Sequence, residues 1–213
     1  YCFVVGEITR NNSQMDKLWS ILPIAYAIVI LIRSNFNWRC IVIAVLIALW
    51  GVRLTINFGK KGAYSIKFWE GEEDYRWVYL RKQKGFSNKL VWGIFDFFFI
   101  SIFQNFVVLA ITFPMLALME STAGFNWMDI IAIVVGFGAF VYELIADKQQ
   151  MEFQTKKWSM IKAGKKLEEL PMPYKLGFNT VGLWNRSRHP NYIGEQMVWC
   201  GVYLFSIAAI KRN

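Results

Sequence analysis

Five stretches of the chain stay apolar for close to the length of a membrane crossing: residues 18–32, 40–58, 90–118, 127–146 and 192–210. A helix needs about 20 residues, each adding 1.5 Å, to cross a hydrocarbon layer roughly 30 Å thick. Strings such as "IAYAIVILI" and "IVIAVLIAL" lack the polar stripe at a 3.6-residue period that a water-facing helix carries. The pattern therefore predicts an all-α, polytopic transmembrane bundle of about five spans. Residues 90–118 exceed a single crossing, which predicts a tilt or a kink, with Pro114 the natural place for it. Asp96, Gln104 and Asn105 interrupt that run. Asp96 is expected at the membrane interface, and the two deeper amides are expected to bond to neighbouring helices.

The polar segments sharpen this picture. Residues 59–89 hold eight Lys/Arg and residues 147–191 hold nine, out of 24 in the chain. Between the first two runs there are only Arg33 and Arg39, and residues 119–126 have none. Basic and base-poor loops alternate with the spans, which places both long loops, and the N-terminal stretch with Arg10 and Lys17, on the cytosolic side. Only 18% of residues are charged and 55% are hydrophobic, against the roughly 25% charged usual in soluble domains. Topology and anionic headgroups absorb the net charge of +9, so no nucleic-acid partner is needed to explain it.

No repeat or linker divides residues 1–213, which read as one membrane domain with the lipid bilayer as its first partner. The start "YCFVVGEITR" lacks an initiator methionine and a leader, and "SIAAIKRN" follows directly on a span, so both ends are expected to be edges of a fragment. Cys2, Cys40 and Cys200 lie in or beside apolar runs without metal or pairing spacing, and are expected to be small buried hydrophobes; no metal site is predicted. The first basic loop suits an interfacial amphipathic helix anchored by Trp69, Tyr75, Trp77 and Tyr79. On it Glu72 and Arg76, or Glu73, Arg76 and Trp77, would share a face.

Candidate chemistry gathers late in the chain. In "YELIADKQQMEFQTKK", Glu143 and Asp147 are four apart, so a continuing helix sets both carboxylates on one face and calls for a polar partner beside them. Lys156 to Lys166 form a basic helical surface, and "PMPYKLGFNTVGLW" predicts a connector without regular structure. Then comes "SRHPNYIGEQ". Pro190 suits the first position of the last span, preceded or capped by His189 or Ser187. Arg188 beside the free N–H groups of a helix start makes an anion site. Asn191 and Glu195, again four apart, and Tyr192 line the level where the membrane begins.

"GLWNRSRHPNYIGEQ" and "ELIADKQQMEF" together resemble the C-terminal, cofactor-binding part of steroid 5-alpha-reductase-like membrane proteins. "RLTINFGKKGAYS" and "EEDYRW" make the branch of unknown function the nearest match, from about Arg53 onward. The resemblance implies an NADPH-dependent reductase of a steroid- or lipid-like enone, with cofactor held by residues 143–213. Glu143 and Asp147 match its nucleotide-binding pair. Arg188, His189, Asn191, Tyr192 and Glu195 match residues along the phosphates and nicotinamide, with Tyr192 and Glu195 as catalytic candidates. Isoprenylcysteine and phospholipid methyltransferases carry a close variant of the Arg-His-Pro string, which leaves an S-adenosylmethionine-dependent enzyme, or a non-catalytic relative, as alternatives. Three features depart from the pattern: Ile56 stands where a tyrosine is expected, Gln154 where relatives carry a base, and the family's last helices lie beyond Asn213.

Overall fold

The computed structural model describes residues 1–60, 62–64 and 73–210, and among them every regular element is helical. The helices are α1 (Cys2–Thr9), α2 (Gln14–Trp19), α3 (Leu22–Arg33), α4 (Trp38–Lys60), α5 (Tyr75–Arg81), α6 (Lys89–Phe95), α7 (Gln104–Ala110), α8 (Trp127–Lys162) and α9 (Pro190–Ala209). Four segments are long and apolar enough to cross a membrane: Gln14–Arg33, Trp38–Lys60, Lys89–Leu118 and Trp127–Lys162. The 20-residue α9 is less apolar than these four, so the count is close to the five that the pattern predicts. The fold packs as two units, residues 1–123 with 209–213, and residues 124–208.

In the first unit, α3 and α4 form a hairpin. The buried residues of α4 include Cys40, Ile43, Leu46, Ile47, Trp50 and Gly51, a stripe at helical period, while Ile41, Val45, Leu49, Val52 and Ile56 stay exposed. Ile and Leu occur on both faces, as expected where lipid replaces water outside, and the buried face also takes in Arg39 and Arg53. Gly51 lets α4 approach closely, since a Cβ there would lie 2.5 Å from the Ser20 carbonyl oxygen. A polar chain runs alongside. The Thr55 hydroxyl donates to Ser20 Oγ at 2.9 Å, and the Tyr64 hydroxyl donates to the Lys17 carbonyl at 3.2 Å.

The long third span departs from the expectation of a single kink at Pro114. Between α6 and α7 it widens into a π-helical stretch, Asp96–Phe103, and it ends in a 3₁₀ turn, Phe113–Leu118, with Pro114 in its first turn. Asp96, expected at the interface, is 1% exposed: the Asn12 amide donates to its Oδ2 at 2.7 Å and the Ser101 hydroxyl to its Oδ1 at 3.2 Å. Asn105 bonds mainly within its own helix, donating to the Ser101 carbonyl at 2.6 Å.

Acidic and basic groups of the first loop close onto the N-terminal turn, beside α5, the helix expected of this loop. The Trp77 indole donates to Asp16 Oδ2 at 2.9 Å, so Trp77 is buried, while Tyr75 and Tyr79 are exposed. Arg76 pairs with Asp74 at 2.8 Å and Asp16 at 3.4 Å, not with Glu73. Glu73 instead pairs with Arg81 at 2.7 Å and accepts the Asn12 backbone N–H at 2.9 Å. Trp69 and Glu72 lie outside the described residues. Cys2 is buried, and burial pushes its thiol up; Cys40 is also buried, whereas Cys200 is exposed, contrary to expectation. At the opposite end of this unit the base-poor loops meet: the Asn37 amide donates to the Ser121 carbonyl at 3.3 Å, and Arg39 to the Ala123 carbonyl at 2.7 Å.

Candidate functional site

The second unit is an antiparallel helix pair with a folded-back connector. Asn126 caps α8 in a reciprocal capping box with Asp129 and also donates to the Ala208 carbonyl at 2.9 Å, tying the start of α8 to the end of α9. The buried positions of α8 run Asp129, Ala132, Gly136, Ala139, Glu143 and Ala146, at alternating steps of three and four, and then Phe153 and Lys157. Its small residues let α9 come close. A Cβ on Gly201 would lie 2.5 Å from Gly136 Cα, and one on Gly194 would lie 2.7 Å from Glu143 Cβ. Seven residues forward along α8 match seven back along α9, which is the register of two antiparallel helices in contact. Carried one turn further, it sets Asp147 level with Pro190, the first residue of α9.

Helix α8 does not stop at the rim of its apolar run but continues unbroken to Lys162. The expected face therefore exists: Glu143 is 1% exposed and Asp147 half-buried, one turn apart. Gln150 and Gln154 extend the same face toward the aqueous end. The connector is better ordered than its Pro and Gly content predicts, because α8 binds it at several points. The Gln149 side chain accepts the Leu183 N–H at 2.9 Å, and the Gln149 carbonyl accepts the Asn179 amide at 3.3 Å. The Trp184 indole donates to the Ala146 carbonyl at 2.9 Å. Lys157, expected on a basic surface, is buried and donates to the Gly177 carbonyl at 3.0 Å, while Phe153 stacks on Tyr174 at 5.2 Å. Short 3₁₀ turns at Leu167–Glu169, Tyr174–Leu176 and Gly182–Asn185 carry the chain between these points. Gly182, at φ +65°, sits against Gln149, 2.6 Å from where a Cβ would fall.

This packing leaves a cleft of about 390 Å³ lined by Gln150, Gln154, Asn179, Trp184, Arg188 and His189, among others. Helix α9 begins at Pro190 as its sequence predicts, with the Ser187 hydroxyl accepting the His189 N–H at 3.3 Å. The helix start offers fewer free donors than expected. Pro190 has no N–H, and the Tyr192 and Ile193 N–H groups both turn back to the His189 carbonyl, at 3.1 and 3.3 Å. The exposed guanidinium of Arg188 is the larger positive feature. His189 and Tyr192 form a tilted ring pair 5.3 Å apart, with Tyr192 57% exposed, and Trp184 meets His189 edge-on at 6.5 Å. Asn191 and Glu195 are half-buried on α9.

Two buried side-chain oxygens here, Gln150 Oε1 and Asn191 Oδ1, have no hydrogen-bond partner among the described residues. An amide left unpaired inside a protein costs about 1–3 kcal/mol, so each such group calls for an explanation, as does Gln14 Nε2 in the first unit. Gln150 and Gln154 are absent from the expected residue set, although their spacing from Glu143 and Asp147 follows the same helix face and could have found them.

The whole of this arrangement lies within a match to the family described as Protein of unknown function (DUF1295), which covers residues 2–213, and the chain belongs to that family. It is a membrane-type helical protein of that family. It is also 33% identical over 229 residues to Uncharacterized protein C594.04c of Schizosaccharomyces pombe, covering 97% of this chain and 63% of that relative's length. No solved structure is a significant match.

Proposed function

We propose that the protein is an integral membrane oxidoreductase that uses NADPH to reduce a carbon–carbon double bond conjugated to a carbonyl in a steroid- or lipid-like substrate. The observation that carries this reading is the pair of unpartnered amide oxygens, Gln150 Oε1 and Asn191 Oδ1, beside a cleft that opens next to Arg188. Both are acceptors, so they fit a ligand that brings donors, such as the ribose hydroxyls and primary carboxamide of a nicotinamide nucleotide. Arg188 would take the diphosphate, since a guanidinium matches two phosphate oxygens at once. Glu143 and Asp147, on the same face of α8, would hold ribose hydroxyls of the nucleotide portion. His189 and Tyr192, a tilted ring pair, would offer their faces to a heteroaromatic ring.

When bound, the dihydronicotinamide supplies a hydride equivalent to the β-carbon, and a proton taken up at the α-carbon completes the two-electron reduction, leaving the oxidised nucleotide. The protein's own task is to hold the enone carbonyl against a hydrogen-bond donor, with Tyr192 and Glu195 the candidates nearest the membrane level. Ile56, in the place of the tyrosine the resemblance implies, is 52% exposed on α4 and can donate nothing. The N-terminal stretch and both basic loops face the cytosol in this reading. Within the first unit, the N-terminal turn meets Glu73 and Arg81 at one end and the base-poor loops meet at the other, which supports it.

The test is cofactor binding by the full-length protein in detergent, comparing NADPH with S-adenosylmethionine by thermal shift. NADPH is expected to raise the midpoint by several degrees, about 2–4 °C for each kcal/mol of linkage in a chain of this size. Arg188→Ala and Asp147→Ala should each remove most of that rise. Stabilisation by S-adenosylmethionine with indifference to NADPH overturns the assignment.

A further inference from the structure

A second cavity, of about 400 Å³, lies in the first unit and takes no part in the proposed reduction. Its lining includes Arg10, Arg81 and Lys89, with Ser87, Phe86 and Trp92. Arg10 follows α1 with its backbone in the left-handed region, φ 52°, which turns the chain at the cavity's edge. Lys89 opens α6 and with it the third apolar span, so the cavity sits where hydrocarbon gives way to water. Trp92 and Phe86 pack edge-on at 6.2 Å, an aromatic pair of the kind enriched at that boundary.

The three cations differ in what already satisfies them. Arg81 is fixed: it donates to Asn12 Oδ1 at 2.5 Å and Glu73 Oε1 at 2.7 Å, and its guanidinium lies 4.8 Å from the Trp92 ring centre. Arg10 and Lys89 are exposed and have no ion-pair partner among the described residues. Glu7, the acid in the lining, is exposed and sets one negative charge against the three positive ones. Two cations without ion-pair partners therefore line the cavity together with a third held rigid by its neighbours, and Ser87 adds a hydroxyl to the lining. We propose that this cavity binds a phosphate group at the membrane surface, from an anionic phospholipid headgroup or from a free phosphate. Basic pockets beside membrane helices bind phospholipid headgroups on the same chemistry. The volume falls within the range of about 300–1,000 Å³ usual for ligand sites.

The site shares no residue with the 188–195 segment, so it stands or fails independently of the proposed reductase. The experiment measures thermal unfolding of the full-length protein in an uncharged maltoside detergent, with added short-chain phosphatidic acid, short-chain phosphatidylcholine or inorganic phosphate. Phosphatidic acid is expected to raise the midpoint by about 2–4 °C, and phosphatidylcholine by much less. An Arg10→Gln/Lys89→Gln chain should lose at least half of the rise while unfolding near the parent temperature when no lipid is added, since neither side chain has a partner to lose. A Lys89→Gln chain serves the same comparison if the double variant folds poorly. An equal rise with inorganic phosphate, lost in the same variants, assigns the site to free phosphate. No rise with either phosphate source, or a rise that the substitutions leave intact, overturns the proposal.

Discussion

Gly201 shows how much one missing side chain can decide. The atom a Cβ would strike is the Gly136 backbone, 2.5 Å away, and a backbone cannot step aside as the end of a flexible side chain can. Gly201→Val is expected to destabilise the protein by roughly 1–3 kcal/mol, the usual cost of overpacking, measured by denaturant or thermal unfolding in detergent. Gly138 is the matched control: nothing lies within 4 Å of its added Cβ, so Gly138→Ala should be neutral or slightly stabilising. Unchanged stability for Gly201→Val would mean that α8 and α9 do not touch at this register. At this scale the candidate site is partly legible in sequence. Pro190 marks a helix start, which makes Arg188, Asn191 and Glu195 stand out. Gln149 does not stand out, because its role depends on a connector that returns from more than 30 residues away.

Among the elements, α8 and its connector repay attention together. The connector keeps its path because Gln149 accepts the Leu183 N–H and Asn179 bonds to the Gln149 carbonyl. Gln149→Ala leaves one backbone donor without its partner, at a cost of about 1–3 kcal/mol locally. Limited proteolysis should then cut within residues 164–187 several-fold faster, with the rest of the chain still resistant. A cutting pattern identical to the parent's would mean that the connector is held elsewhere. The third span teaches the opposite lesson about legibility. Its excess length and its Pro114 are visible in sequence, but the π-helical stretch from Asp96 is not. That geometry answers to Asn12, Ser101 and Asn105, which bond around it from positions that hydropathy alone does not connect.

For the whole molecule, the fold class follows directly from five apolar runs, since few other structures satisfy the backbone in hydrocarbon. Which face of each helix meets its neighbours does not follow, because lipid and protein offer the same apolar surroundings. In α4, Ile43, Leu46 and Ile47 are buried while Ile41, Leu49 and Ile56 are exposed, so aliphatic type does not tell the faces apart. Loop charge is the other legible feature, and it yields a direct test of sidedness. In a chain whose own cysteines are replaced by alanine, Lys84→Cys and Lys165→Cys should react with an impermeant maleimide from the same side of sealed vesicles. Arg33→Cys and Thr122→Cys should react from the other side. Labelling of positions 84 and 165 from opposite sides would require a different threading of the spans.

The unbroken course of α8 gives this membrane protein a means of working in two phases. Its apolar part, residues 127–146, spans about 30 Å, and the other 16 of its 36 residues carry the same rigid rod about 24 Å further. The amides of the cleft stand on that outer portion, while the small-residue seam with α9 lies on the inner one. In the proposed reading, a water-soluble, charged cofactor docks at the cleft without entering oil, and a greasy substrate approaches without leaving it. Their meeting point is set by one helix whose hydrogen bonds continue through the boundary between the two solvents.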